Sequence, residues 1–129
     1  MAVILVAEDD VHILHVVALW LKRNGHQVSE ARNGSDALHR LRAGGIDLLV
    51  SDINMPGMSG IELLQAGKAE GLLPNGAILL SSRCDQKEIA DAIRTNGGVV
   101  HPKPFSPSRL IQVIEDKLAV VAGPASARG

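Results

Sequence analysis

The sequence predicts a doubly wound α/β fold with a parallel sheet. Apolar segments of strand length alternate with helical segments along the 129 residues, which is the pattern of consecutive β-α units. The segment Ile46–Ser51 is apolar or small at every position except Asp47, as expected for a strand buried on both faces of such a sheet. The length suits one domain with its own core.

Ten elements are predicted, and the first four follow from clear signals. Gly25 suits the left-handed backbone position that follows a helix, so the first helix ends just before it. Asn33 and Gly34 predict a turn, and Ala37 and Leu41 lie on one inward-facing stripe of the second helix. In chain order, the predicted elements are strand Val3–Ala7, helix Val11–Arg23, strand Gln27–Ala31, helix Ser35–Arg42, strand Ile46–Ser51, helix Ser59–Ala69, strand Ala77–Ser81, helix Gln86–Thr95, strand Val99–Lys103 and helix Pro107–Val121.

The last three elements carry their own start and stop signals. Asp85 and Glu88 have the spacing of a capping box at the start of the fourth helix. Pro102 lacks an N–H group for a strand ladder, so the fifth strand belongs at an edge of the sheet. Ser106 as N-cap and Pro107 at the first helical position begin the last helix.

Composition excludes several classes of protein. Thirteen basic residues stand against fourteen acidic ones, so no basic surface for direct nucleic-acid binding is indicated. The single cysteine, Cys84, cannot form an internal disulfide, which fits a reducing compartment. The apolar segment Val3–Ala7 is too short for a signal peptide, and we expect a cytoplasmic protein that does not enter a membrane.

Polar side chains stand at the carboxyl ends of four predicted strands. Glu8 and Asp9 follow the first strand, Asp52 the third, Ser81 the fourth and Lys103 the fifth. In an open parallel sheet, these ends form the crevice that binds ligands. Crowded carboxylates repel unless a hard cation joins them, and oxygen ligands without Cys or His indicate magnesium. The lysine and the hydroxyl would bind the oxygens of a phosphoryl group on the carboxylate, so the set suits phosphoryl transfer.

Taken together and in this order, these residues resemble a receiver domain of two-component response regulators. The resemblance rests on Glu8-Asp9, the segment from Asp52 to Gly60, Ser81 and Lys103-Pro104-Phe105. It implies a flavodoxin-like fold with sheet order 2-1-3-4-5. It covers residues 1–121, and residues 122–129 are expected to be a flexible tail because they are small and rich in Pro and Gly.

The resemblance also implies a role for each matching residue. Asp52 would be the phosphoacceptor, taking its phosphoryl group from a histidine kinase or a histidine phosphotransfer protein. Magnesium would be bound by Asp9 and Asp52 directly, by Glu8 through water and by the backbone carbonyl of Asn54. Lys103 and Ser81 would be the catalytic residues that hold the phosphoryl oxygens. Such a domain is not an enzyme, since it assists only its own phosphorylation and dephosphorylation. Asp10 is expected to be the N-cap of the first helix instead of a ligand.

Three alternatives stay open at this point. The alternatives to a stand-alone receiver are the N-terminal receiver of a longer regulator, an inert receiver-like binding module and a phosphatase of the haloacid dehalogenase type. The phosphatase pattern requires a second acid two residues after the nucleophile, where this chain has Asn54. An inert module would be expected to lack Asp52 or Lys103, and both are present.

The first helix has more apolar residues than its contact with the sheet requires. Four of them suffice for the inward stripe: Leu14, Val17, Ala18 and Leu21. Val16, Leu19 and Trp20 are then left on the flanks or outside, and exposed apolar patches often mark docking sites. The resemblance implies that this helix meets the phosphodonor protein, and burial of the patch in a homodimer is the alternative.

Overall fold

The structure is a computed structural model that describes residues 2–81, 87–102 and 106–122. Strands and helices alternate along the whole described chain, as the sequence predicts. The elements are β1 (Val3–Ala7), α1 (Val11–Arg23), β2 (Gln27–Ala31), α2 (Gly34–Ala43), β3 (Leu48–Asp52), α3 (Gly60–Ala69), β4 (Ala77–Ser81), α4 (Lys87–Thr95), β5 (Gly98–Pro102) and α5 (Pro107–Ala122).

All five strands pair in parallel, in the order β2-β1-β3-β4-β5. Both the doubly wound architecture and the expected strand order are therefore confirmed. The chain moves from β1 outward to β2 and then returns to the other side of β1 to form β3. This reversal between β1 and β3 is the topological switch point, where open α/β sheets place their ligand sites.

The core lies on both faces of the sheet. One face is covered by α2, α3 and α4, through residues such as Leu41, Leu63 and Ile93, and the other by α1 and α5 through Leu21 and Ile114. Residues of β3 and β4 are buried on both faces, which explains why these strands are apolar without alternation. The helices thus leave the ends of the strands as the accessible edges of the sheet.

Several predicted boundaries differ from the structure by one or two residues, and two of these differences have a clear local cause. The turn expected at Asn33 and Gly34 is instead the start of α2, because the Asn33 side chain accepts a hydrogen bond from the Asp36 N–H (2.7 Å) and caps the helix. The strand expected over Ile46–Ser51 is β3, which pairs from Leu48 onward and continues to Asp52. Asp52 is therefore the last residue of the strand.

Some predictions concern residues outside the described ranges. They are Cys84, the capping box at Asp85, Lys103 as the last residue of the predicted fifth strand, and the tail beyond Ala122. Within the described ranges, β1, α1, β2 and β4 have the predicted bounds, and α5 continues to Ala122. No helix in this part of the chain is both long and apolar enough to cross a membrane.

Candidate functional site

Asp52 ends β3 at the centre of the carboxyl edge of the sheet. It pairs with Leu80 of β4, and the next residue, Ile53, donates its N–H to the Leu80 carbonyl (3.1 Å). The buried hydroxyl of Ser51 donates to the Asp52 carbonyl (2.9 Å). The Asp52 residue is 6% exposed. Pairing with β1 through Ser51 and with β4 through Asp52 therefore fixes the position of the Asp52 backbone at this edge.

Glu8 and Asp9 reach the same place from β1. The Glu8 N–H donates to the carbonyl of Ala31 in β2 (3.0 Å), which continues the pairing of the two strands past the end of β1. Glu8 is buried and Asp9 is exposed. One carboxylate oxygen from each of Glu8, Asp9 and Asp52 lies within 4.8 Å of the other two. The structure thus brings together the three acids that the sequence places at separate strand ends.

Three carboxylates at this separation repel one another while they are all ionised. A hard divalent cation that binds oxygen ligands would compensate this repulsion, and no sulfur or imidazole ligand takes part in the cluster. Exposure of Asp9 leaves the cluster open to ions from solvent. The donor set therefore fits a metal ion of the magnesium type.

Asp10 has the capping role that the sequence predicts. Its side chain accepts hydrogen bonds from the N–H groups of His12 (2.9 Å) and Ile13 (3.3 Å) at the start of α1. Its own N–H donates to the Glu8 carboxylate (3.2 Å), which orients that side chain. Asp10 thus holds both the helix and one member of the acidic cluster without belonging to the cluster.

Of the remaining predicted site residues, Ser81 and Asn54 lie in the described part of the chain and Lys103 does not. Ser81 is the last residue of β4 and is buried one position beyond the pairing partner of Asp52. Asn54 is exposed in the loop that follows β3. Lys103 lies outside the described residues. The structure therefore brings Ser81 to the same edge as the acids, while the position of Lys103 stays a prediction.

Gly60, the first residue of α3, ends the segment on which the resemblance rests, but the sequence does not predict its close contact with Asp52. A Cβ atom added there would lie 2.3 Å from the Asp52 carbonyl oxygen, and the Gly60 N–H donates to the Ile53 carbonyl (2.8 Å). Ser59 and Glu62 form a capping box that starts the helix at this point. The Ser-x-x-Glu spacing is visible in the sequence, but the close approach to Asp52 is not.

Comparison with known families identifies this arrangement. A family model described as the response regulator receiver domain matches residues 4–115. The chain belongs to the response regulator receiver family. It is therefore a phosphoacceptor signalling domain of two-component systems. Phosphorylation and the binding of magnesium are typical of this family.

Relatives and solved structures agree with this assignment. The chain is 31% identical over 113 residues to the phosphate regulon transcriptional regulatory protein PhoB of Escherichia coli, covering 87% of this chain and 49% of that protein. It thus spans about half the length of the curated relatives it matches. The receiver domain of the Francisella response regulator 1452 has a TM-score of 0.83 at 28% identity, covering 93% of this chain and 98% of that one. Chemotaxis response regulator CheY4 of Vibrio cholerae also has a TM-score of 0.83, at 26% identity, with coverage of 91% and 98%.

Proposed function

We propose that Asp52 is the phosphoacceptor of this receiver. A carboxylate oxygen of Asp52 forms a bond to the phosphorus of a phosphohistidine, while the bond from phosphorus to the imidazole nitrogen breaks and the imidazole leaves. The donor is a histidine kinase or a histidine phosphotransfer protein. The observation that carries the proposal is the convergence of the Glu8, Asp9 and Asp52 carboxylates within 4.8 Å at the switch point of the sheet.

The same residues would hold Mg²⁺. Asp9 and Asp52 would supply carboxylate oxygens directly, Glu8 would act through a water, and Asn54 would supply its backbone carbonyl. When bound, the ion neutralises the charge that would otherwise repel an incoming phosphoryl group from three acids. Ser81 donates its hydroxyl to one phosphoryl oxygen, and Lys103 places its ammonium group on another. These residues act only on the group that the domain itself carries, so we propose a signalling function without turnover of a separate substrate.

Acetyl phosphate provides a direct test that needs no protein donor. Incubation with acetyl phosphate and MgCl₂ is expected to add one phosphoryl mass, measured by intact-protein mass spectrometry. Asp52→Asn should abolish this addition. Asp36→Asn serves as the matched control because Asp36 is an exposed acid at the start of α2, outside the acidic cluster. Undiminished phosphorylation of Asp52→Asn would overturn the assignment.

The exposed side of α1 is the surface that we propose for docking of the phosphodonor. Its inward stripe is buried as predicted: Leu14, Val17, Ala18 and Leu21. Outside this stripe, Val16 and Leu19 are each 42% exposed and Trp20 is 36% exposed, and Val11 at the start of the helix is 48% exposed. Asp10 joins the N-terminal end of this helix to the acidic cluster, so a protein that covers the exposed side of α1 along its length would reach the region of Asp52.

Phosphotransfer from a cognate donor separates this docking role from a role in the core. Leu19→Asp should impair transfer from the donor protein and leave phosphorylation by acetyl phosphate unchanged. Val99→Asp is the matched control, since Val99 is similarly exposed (39%) but lies on β5, far from α1 in the sheet order. Equal loss with both phosphate sources would refute the docking role. Sedimentation of the wild type as a dimer that Leu19→Asp dissociates would assign the surface to a homodimer.

We propose that residues 1–121 form the receiver unit and that it works in the cytoplasm, where histidine kinases phosphorylate their partners. Its near-balanced charge favours output through a protein partner over direct contact with nucleic acid. The match to only half of PhoB is compatible with a separate partner or with an output domain in a longer chain. Phosphorylation-dependent capture of a protein partner would test the first form of output.

A further inference from the structure

Gly34 packs closely against Met58 in the loop that follows Asp52. It is the buried first residue of α2. A Cβ atom added to it would lie 2.5 Å from the Met58 carbonyl oxygen, 2.7 Å from the Met58 Cβ and 3.0 Å from its Cγ. Gly34 does not have a positive φ, unlike Gly57 in the same loop (φ 79°). Lack of space, and not backbone conformation, is therefore what requires glycine at this position.

The loop over residues 53–59 is short and is fixed at both ends. Ile53 and Met55 are buried in the core, and the Gly60 N–H closes the loop by donating to the Ile53 carbonyl (2.8 Å). Asn54 lies inside this closed segment. Because the Met58 backbone would have to move to make room for a side chain at position 34, the displacement acts on the same closed loop that carries Asn54.

We propose that Gly34 is a positioning residue for the metal site, acting through Met58 on the loop that carries the Asn54 carbonyl. The proposal rests on the proposed function, in which that carbonyl is a ligand. It gives α2 a part in the site although none of its side chains belongs to the acidic cluster. The contact between Gly34 and Met58 would then hold the loop at a fixed spacing from α2 while Mg²⁺ binds.

Gly67 is a second crowded glycine, but its neighbours are side-chain atoms and not backbone atoms. It is a buried residue within α3, and a Cβ atom added there would lie 2.8 Å from Leu73 Cδ1. That neighbour is the end of a flexible side chain, whereas the nearest neighbour of Gly34 is a backbone oxygen. Gly67→Ala is therefore a matched control, with a similar insertion into a packed region but no contact with the loop of residues 53–59.

Magnesium titration by calorimetry tests the proposal on the full chain. Gly34→Ala should bind Mg²⁺ about tenfold more weakly than the wild type, the size typical of losing support around a metal ligand. Gly67→Ala should bind Mg²⁺ like the wild type. Both variants are to be measured at a temperature at which circular dichroism shows them fully folded. Wild-type affinity in folded Gly34→Ala would overturn the proposal.

Met58→Ala approaches the same contact from the other side. Met58 is only partly buried, so its truncation is compatible with folding even where Gly34→Ala is not. Loss of the Met58 side chain beyond Cβ loosens the loop against α2, and Mg²⁺ affinity should fall by less than in Gly34→Ala. Unchanged affinity in Met58→Ala would contradict the inference. A wild-type protein that does not bind Mg²⁺ would instead refute the proposed function, so the two failures are distinguishable.

Discussion

Polar side chains have opposite roles at the amino edge of the sheet, where the parallel strands begin, and at the carboxyl edge, where they end. At the amino edge, the Asp47 carboxylate accepts the N–H of Val3 (2.8 Å), and the Asn75 amide donates to the Asp47 carbonyl (2.7 Å). Nδ1 of His26 accepts the N–H of Ala2 (3.2 Å). At the carboxyl edge, three carboxylates approach one another within 4.8 Å.

The polar residues of the amino edge complete backbone hydrogen bonds, whereas those of the carboxyl edge gather negative charge in the candidate site. Side chains of the amino edge supply partners to backbone groups that lie beyond the regular ladder, so they remove a cost of folding. The acids of the carboxyl edge bring negative charges close together in the folded state, and a bound cation would relieve their repulsion. Substitutions at the two edges should therefore respond differently to Mg²⁺.

The largest effect is expected at Asp9. Saturation with Mg²⁺ at about 100 times its dissociation constant should stabilise the wild type by about 2.7 kcal/mol. Asp9→Asn should lose most of this stabilisation, and without Mg²⁺ it should melt at a higher temperature than the wild type because one repelling charge is gone. Thermal denaturation with and without MgCl₂ measures both changes. An undiminished Mg²⁺ effect in Asp9→Asn would remove this residue from the metal site.

A smaller, metal-independent effect is expected at Asp47. Asp47→Ala leaves the Val3 N–H without its side-chain acceptor and should lower the free energy of unfolding by about 1.5 kcal/mol. The stabilisation produced by Mg²⁺ should stay as in the wild type, since Asp47 lies at the other edge. Urea denaturation at both Mg²⁺ conditions provides the comparison. A reduced Mg²⁺ effect would mean that the two edges are coupled.

The smallest effect is a pH dependence at His26. Burial lowers the pKa of His26, although the charge of Glu115 opposes this shift, so the folded state favours the neutral imidazole. The unfolded chain binds a proton near pH 6.5, so stability is complete above that value and falls as the pH decreases toward the lowered pKa. Protonation of Nδ1 also removes the acceptor for the Ala2 N–H.

His26→Gln should weaken this pH dependence without abolishing it. Burial and the charge of Arg109 also lower the pKa of His101, so that residue contributes a decrease of the same sign. Urea midpoints at pH 7.5 and pH 5.5 for the two proteins measure the difference. An equal decrease in wild type and His26→Gln would show that other groups are responsible.

Sequence patterns were sufficient for the parallel α/β class and for the convergence of the three acids, whereas the strand order followed from the resemblance to receiver domains. The fully buried strand before Asp52 and the position of Glu8 and Asp9 after an apolar segment are local signals, and parallel topology brings their ends together. The Asp10 cap was predictable for the same reason, because it depends on the next three residues.

Contacts between distant parts of the chain were not predictable. Gly34 and Met58 are 24 positions apart, and the same Asn-Gly pair that starts α2 is also typical of a turn. Nor does the sequence show that the side chain of Asp47 would reach back to the N–H of Val3. Each of these depends on how closely two elements pack, which periodicity and propensity do not encode.

The strand order has a consequence for how the protein is made. The pairs β2-β1 and β1-β3 involve only the first 52 residues, and β4 and β5 then add one after the other to a single side. All three acids of the cluster therefore emerge from the ribosome, with the strands that carry them, before β4 emerges. An early nucleus formed by β2, β1 and β3 would already contain the complete set of carboxylates, so cellular magnesium would favour this nucleus during translation.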